Sequence, residues 1–244
     1  MIGIIADVLS VVIGGIFGAL IGQRLSAKFA EDMNLVFGLC AIGMGIKSIF
    51  LMENMPAVIL AITLGSILGL TCKLGVIIRK GAEQLQKPIV KLLGPSGGSR
   101  MEKDEYMSLI VTMIVLFCAS GTGIYGCLDA GMTGNCTILL SKTVLDLFTA
   151  MVFACNAGLV VSVVALPQLL VFLILFALAH LIVPLTTPGM IADFKACGGF
   201  LLVATGLRIA KIKELPLADM LPAMVLVMPF SQLWTDVIAP LLSL

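Results

Sequence analysis

Apolar residues run along this chain in blocks long enough to cross a bilayer, separated by short polar or charged interruptions. A spanning helix needs about 20 mostly apolar residues. That ruler predicts eight spans, near residues 2–22, 33–52, 56–78, 107–125, 142–165, 167–183, 190–210 and 217–240. The sixth is short for a crossing. The eighth contains Pro222 and Pro229, which remove helix hydrogen bonds and predict a kinked or interrupted helix. The first block has no basic leader and continues through Gly14, Gly15, Gly18 and Gly22 rather than into a cleavage site, so it reads as a span and not as a signal peptide. The expected fold class is an all-α polytopic membrane protein.

Composition sharpens this. Of 244 residues, 60% are hydrophobic and 12% charged, and the mean hydropathy is +1.16. A soluble domain carries about 25% charged residues, so a water-soluble fold is excluded. The net charge of +1 gives no argument for nucleic acid. Placement matters more than sum. Arg24 and Lys28 follow span one; Lys73, Arg79, Lys80, Lys87, Lys91, Arg100 and Lys103 lie at or between the ends of spans three and four; Arg208, Lys211 and Lys213 follow span seven. Alternating the spans puts these 12 of the 15 basic residues on one side, which the positive-inside rule makes cytoplasmic, with both termini outside.

Four regions follow: 1–78, a three-span block; 79–106, a cytoplasmic connector; 107–165, a central pair of spans; and 166–244, a second three-span block. The connector begins with GAEQLQKPIVKLLG, amphipathic and suited to the inner membrane surface, and ends in the flexible PSGGSRMEKDEY. Residues 32–53 align without gaps on 193–214, with Asp32 on Asp193, Gly38 on Gly199, Gly45 on Gly206 and Glu53 on Glu214. Spans two and seven run in opposite directions, so the match predicts an inverted-topology repeat of spans 1–3 on spans 6–8. Coincidence between glycine-rich apolar helices is the alternative.

Polar residues enter the apolar pattern most deeply in the central pair. At 100° per residue, Lys142, Asp146, Thr149 and Asn156 share one helix face. A charge in a membrane span is a functional hypothesis by default, and this edge is expected to border a wet pocket that binds a solute or coupling ion. The competing role is a structural ion pair, Lys142 with Asp146 at four-residue spacing, plus helix-bridging by Thr149 and Asn156. The fourth span ends in Ser120-Gly121-Thr122-Gly123-Ile124-Tyr125-Gly126. Glycines this dense weaken helix and free backbone groups, which makes Ser120, Thr122 and Tyr125 candidate contacts, or else marks an ordinary helix end. Asn135 and Thr137 are placed to cap the next helix or to close the site from outside.

Other features read more plainly. Gly14, Gly18 and Gly22 at four-residue spacing predict close helix packing, within the chain or across a homodimer. The one histidine, His180, is expected to bond a neighbour, and Lys47 and Arg208 to snorkel to the interface. Seven cysteines show no CxxC spacing; Cys127 and Cys136 share a loop and either pair or serve as small buried residues. No P-loop, HExxH or Ser-His-Asp set occurs, so no enzyme activity, metal or cofactor is expected.

GxxxGxxxG in the first span, GLCAIGMGIK in the second and GCLDAGMTGNCTILLSKTVLDLFTAMVFACNAGLVVS in the centre together resemble the domain of unknown function 554 family of bacterial inner-membrane proteins. The resemblance covers essentially the whole chain and falls on Gly131, Gly134, Asn135, Lys142, Asp146 and Gly158. Two positions depart from its pattern: Asn135 where an acidic residue is common, and Leu147 where a glycine is usual. It implies a location in the bacterial inner membrane. The expectation from the residues is a secondary transporter or permease of a small solute or ion, its site lined by the central helices. The rivals are a non-transporting assembly or sensor protein with a structural polar stripe, and an ion channel.

Overall fold

The computed structural model describes residues 1–21, 27–93 and 103–242. Its regular elements are all helical among the described residues: α1 (Ile2–Ile21), α2 (Ala27–Ile49), α3 (Met55–Cys72), α4 (Leu74–Leu93), α5 (Lys103–Cys118), α6 (Gly121–Thr133), α7 (Thr137–Ala157), α8 (Val160–Ile182), α9 (Pro188–Ile209), α10 (Leu217–Met220) and α11 (Pro222–Leu233). A π-helical turn at Trp234–Ile238 and a last helical turn at Ala239–Leu241 follow. Among the described residues, eight stretches are long and apolar enough to cross a membrane: Ile2–Ile21, Glu31–Ile49, Met55–Cys72, Leu109–Thr133, Thr137–Cys155, Val160–Leu185, Pro188–Ile209 and Leu217–Leu241. The exposed surface includes Leu20, Phe50, Leu181 and Val225, while Asp7, Lys142, Gln168 and Asp193 are buried. That inversion suits a protein whose outer solvent is lipid.

Several predicted boundaries move. The fourth span does not end at residue 125. Its glycines are helical, and the break falls just before them at Ala119–Ser120, so the span continues as α6 to Thr133. The fifth span starts at Thr137 and stops at Ala157, because Gly158 takes φ +69°, a conformation that favours glycine. The residues thus released, from Val160 onward, lengthen the sixth span to 23 residues, so it is not short. Lys73, with φ +53°, ends α3. The 79–106 connector is then helical as far as Leu93, and Ala82 of α4 packs into a core with Ile110, Ile114 and Phe117 of α5; residues 94–102 lie outside the described set. The eighth span is interrupted as its prolines predict, with Pro222 opening α11.

The chain forms two compact units, 1–34 with 77–180 and 35–76 with 181–244. In the first, α1 lies against α7. A Cβ at Gly14 would meet the Leu147 carbonyl oxygen, and one at Gly18 the Met151 carbonyl oxygen, so the glycine stripe is filled by α7 of the same chain. Gly22, the third member, lies outside the described residues. In the second unit α2 and α9 run antiparallel with their backbones almost touching. A Cβ on Gly38 would lie 2.6 Å from the Gly206 oxygen and one on Gly206 2.5 Å from the Gly38 oxygen; Gly45 and Gly199 repeat this at 2.6 and 2.7 Å. A shift of 161 residues, which carries Gly38 to Gly199 and Gly45 to Gly206, also carries their further neighbours Ile42 and Ile49 to Val203 and Ala210.

The start of α3 is held by a carboxylate from α9. Asp193 Oδ1 accepts from the backbone N–H groups of Glu53 and Asn54, both at 2.9 Å. Its Oδ2 accepts from Asn54 Nδ2 at 2.9 Å and from Ser231 Oγ at 2.6 Å. A helix start leaves N–H groups without partners, and here another helix supplies the acceptor.

The α2–α9 contact yields a test within one helix. Gly45→Ala should lower stability by about 1–3 kcal/mol through overpacking. Gly43→Ala, where a new Cβ meets nothing within 4 Å, should be neutral or raise it by up to about 1 kcal/mol through helix propensity. Thermal unfolding of both variants in detergent checks the contrast.

Candidate functional site

The charged residues of α7 are drawn into the core of the first unit. Lys142 sits in the second turn of the helix and Asp146 one turn on, and their side chains pair directly. Two partners come from elsewhere. Asp7 of α1 places Oδ2 3.5 Å from Lys142 Nζ. Gln168 of α8 donates from Nε2 to Asp7 Oδ2 at 2.8 Å and, more weakly, to Asp146 Oδ2 at 3.4 Å. The ammonium also lies 5.9 Å from the ring centre of Phe117 and 5.7 Å from that of Phe172, within range of cation–π attraction.

Burial is near complete: Asp7 and Gln168 are 0% exposed, Lys142 1% and Asp146 8%. The expectation that this edge borders a wet pocket is therefore corrected. The neighbouring cavity, about 290 Å³, is lined by apolar groups that include Ile114, Cys118, Ala119, Ile124 and Val171. The reason is topological: α1 and α8 close over the α7 face and replace water with their own polar groups.

The balance of charge and hydrogen bonds is unusual. Two carboxylates face one ammonium, a formal sum of −1 for Asp7, Asp146 and Lys142. Asp7 Oδ1 and Gln168 Oε1 are buried acceptors without a hydrogen-bond partner among the described residues. Buried polar groups are almost always satisfied, so two orphans on a pair of hydrogen-bonded side chains call for an explanation. Among the described residues, no three His, Cys, Asp or Glu side chains come together as a metal site would need.

The other candidates are distributed differently. Ser120 caps α6, accepting from Gly123 N–H at 3.1 Å and from Thr122 Oγ1 at 3.2 Å. Both residues are buried, as is Tyr125. Gly123 lets α6 press on the Phe172 ring that flanks Lys142. Asn135 stands apart: it is exposed, and its Oδ1 accepts from the N–H and hydroxyl of Thr137, so it organises the start of α7. Thr149 is half-buried, and the side chain of Asn156 lies outside the described set. Cys127 and Cys136 are unpaired, Cys127 fully buried. His180 stacks edge-on against Phe176, with centroids 4.8 Å apart.

Asp7 and Gln168 escaped the sequence reading. Asp7 is the one acidic residue of the first span, and Gln168 fell at the edge of a predicted segment, where a polar residue is ordinary. A usable signal existed: the offset that aligns 32–53 on 193–214 is 161, and it carries position 7 onto position 168.

Known proteins place the chain at family level. Residues 2–232 match the family described as "Protein of unknown function (DUF554)". The chain belongs to this family. Over 235 residues it is 44% identical to "Uncharacterized protein YqgA" of Escherichia coli (strain K12), covering 96% of this chain and 98% of that protein. Over 232 residues it is 22% identical to "Uncharacterized membrane protein YdfK" of Bacillus subtilis (strain 168), 93% of each. No solved structure matches. With eight apolar spans among its described residues, this DUF554 member is a multi-pass membrane protein.

Removing the ammonium should expose how much the cluster depends on it. Lys142→Met leaves buried carboxylate without its counter-charge and should cost about 3–5 kcal/mol. Ser120→Ala removes only a helix cap and should cost about 1 kcal/mol. Unfolding midpoints of the two variants, compared in the same detergent, check the order.

Proposed function

We propose that this DUF554 protein is a secondary transporter, or permease, of a small solute or ion in the bacterial inner membrane, with the Asp7–Lys142–Asp146–Gln168 cluster as its centre. The observation that carries this reading is the unsaturated cluster: charges of both signs buried in a spanning bundle, one carboxylate in excess and two acceptors unpaired. A polar group kept only as glue gains most when all its bonds are made. Intramembrane ionisable residues that are not saturated mark ion or solute pathways. On this reading the buried arrangement is the closed stage of a cycle, and Lys142 changes partner between Asp7 and Asp146 as the site opens.

An inverted repeat is part of the same reading. Within the first unit the 161-residue offset relates α1 to α8, which meet at Asp7 and Gln168. Within the second it relates α2 to α9, which meet in the reciprocal glycine contacts, and α3 to α10–α11. Inverted repeats with discontinuous helices are a recurring transporter architecture, and α5–α6 is discontinuous at Ser120. The chain has no P-loop, so the energy source in this reading is an ion gradient, without catalysis or cofactor. Ser120, Thr122, Tyr125 and Thr149 then line the route rather than the charged centre.

A second reading has its own support. The neighbouring cavity is apolar and the cluster is enclosed, as expected of a structural ion-pair network in a membrane assembly or sensor protein.

Reconstituted protein distinguishes these. Proteoliposomes offered a panel of monovalent cations, inorganic anions, amino acids and small carboxylates should show flux of at least one above protein-free vesicles, and that solute should raise Tm in detergent. The rise should vanish in Asp146→Asn, judged against that variant's own solute-free Tm. If the whole panel leaves flux and Tm unchanged, the structural reading stands instead. The expected orientation is checked with Glu83→Cys in a chain otherwise free of cysteine, which should react with a membrane-impermeant thiol reagent only after the inner membrane is opened.

A further inference from the structure

We propose that Asp7 and Gln168 hold one proton between them as a carboxylic acid–carboxamide pair, and, resting on the transporter reading, that this is the proton exchanged in the cycle. Two buried acceptors in this pair lack a donor among the described residues. Gln168 Nε2 already donates to Asp7 Oδ2 at 2.8 Å, so amide and carboxyl meet through one hydrogen bond. The two oxygens left over, Asp7 Oδ1 and Gln168 Oε1, belong to the same facing groups, and neither has a donor. A proton on Asp7 Oδ1 makes that atom a donor and gives Gln168 Oε1 a bond to accept. One proton thus satisfies both orphans.

The same proton closes the charge balance. With Asp7 neutral, Lys142 and Asp146 form a balanced pair, and Asp7 Oδ2 becomes the carbonyl oxygen that accepts from Gln168 and lies 3.5 Å from Lys142. A metal ion fits less well, since hard cations ask for about six oxygen ligands and the pair leaves two free. The other groups facing the centre are consistent with a neutral Asp7. Lys142 and Asp146 come from α7, the buried thiols of Cys118 and Cys127 from α5 and α6, and the Phe117 and Phe172 rings from α5 and α8. None of these offers Asp7 a second cation. Release breaks the Asp7 O–H bond and passes the proton to water on the side that has opened. Asp7 is then a carboxylate beside Lys142, which it can share with Asp146 without moving far.

The neutral isostere identifies which carboxyl holds the proton. Asn at position 7 reproduces a protonated Asp7, donating to Gln168 Oε1 and accepting from Nε2, so Asp7→Asn should keep the wild-type Tm at neutral pH. Asp146→Asn should lower it clearly, because Lys142 loses its partner and Asp7 must give up its proton to replace it. Infrared spectra of wild-type protein in lipid at neutral pH should show a carboxylic acid C=O band that shifts in D₂O. That band should disappear in Asp7→Asn, persist in Asp129→Asn, which alters another buried carboxyl of the first unit on α6, and move to higher frequency in Gln168→Leu. The proposal is overturned if wild-type protein has no such band, if the band survives Asp7→Asn, or if Asp146→Asn is tolerated and Asp7→Asn is not. It is also overturned if sodium chloride, but not choline chloride, abolishes the band and raises Tm, since a metal ion would then occupy the site. A band that behaves as expected in a protein moving no solute leaves the proton in place and removes the transport reading alone.

Discussion

A buried ammonium sets the terms for the first unit. Lys142 cannot reach water through the helices around it, so everything that stabilises its charge has to be protein: two carboxylates, an amide that positions them, and two aromatic faces. Those groups arrive on α1, α5, α7 and α8, which explains why these helices pack as closely as they do. Gly14 and Gly18 matter here as much as Asp7. Without the close approach they allow between α1 and α7, the Asp7 carboxyl could not come within 3.5 Å of the ammonium.

The two units bury acidic residues for different ends. Asp193 in the second unit accepts four hydrogen bonds, two from backbone and two from side chains, and leaves no oxygen unsatisfied. Its carboxylate does a helix cap's work from a neighbouring element. Asp7 in the first unit is just as buried but keeps an oxygen without a partner among the described residues. Saturation separates a fastening from a group held in reserve, and it does so without reference to sequence position or depth.

Much of this was legible from residue order. Spans are visible because lipid demands long apolar runs, and the Lys142–Asp146 pair is visible because four-residue spacing puts both on one helix face. Boundaries were harder. The end of α7 depends on the positive φ at Gly158, and the break in the fourth span on Ser120 rather than on the glycines that follow it. Asp7 and Gln168 were missed for a different reason. Asp7 is the one acidic residue of its span and Gln168 a lone amide at a segment edge, and beyond the 161-residue offset that relates them nothing on either helix marks them as partners. The wet edge expected for α7 failed because a pattern on one helix does not say which helices cover it.

The α2–α9 seam has a mechanical meaning. Where backbone lies on backbone at Gly38, Gly45, Gly199 and Gly206, there are no rotamers to change and no slack for one helix to slide past the other. The pair is therefore bound to behave as a single stiff strut. A conformational change within the second unit has to bend or turn at its joints, such as the left-handed residue at Lys73, and carry that strut along undeformed.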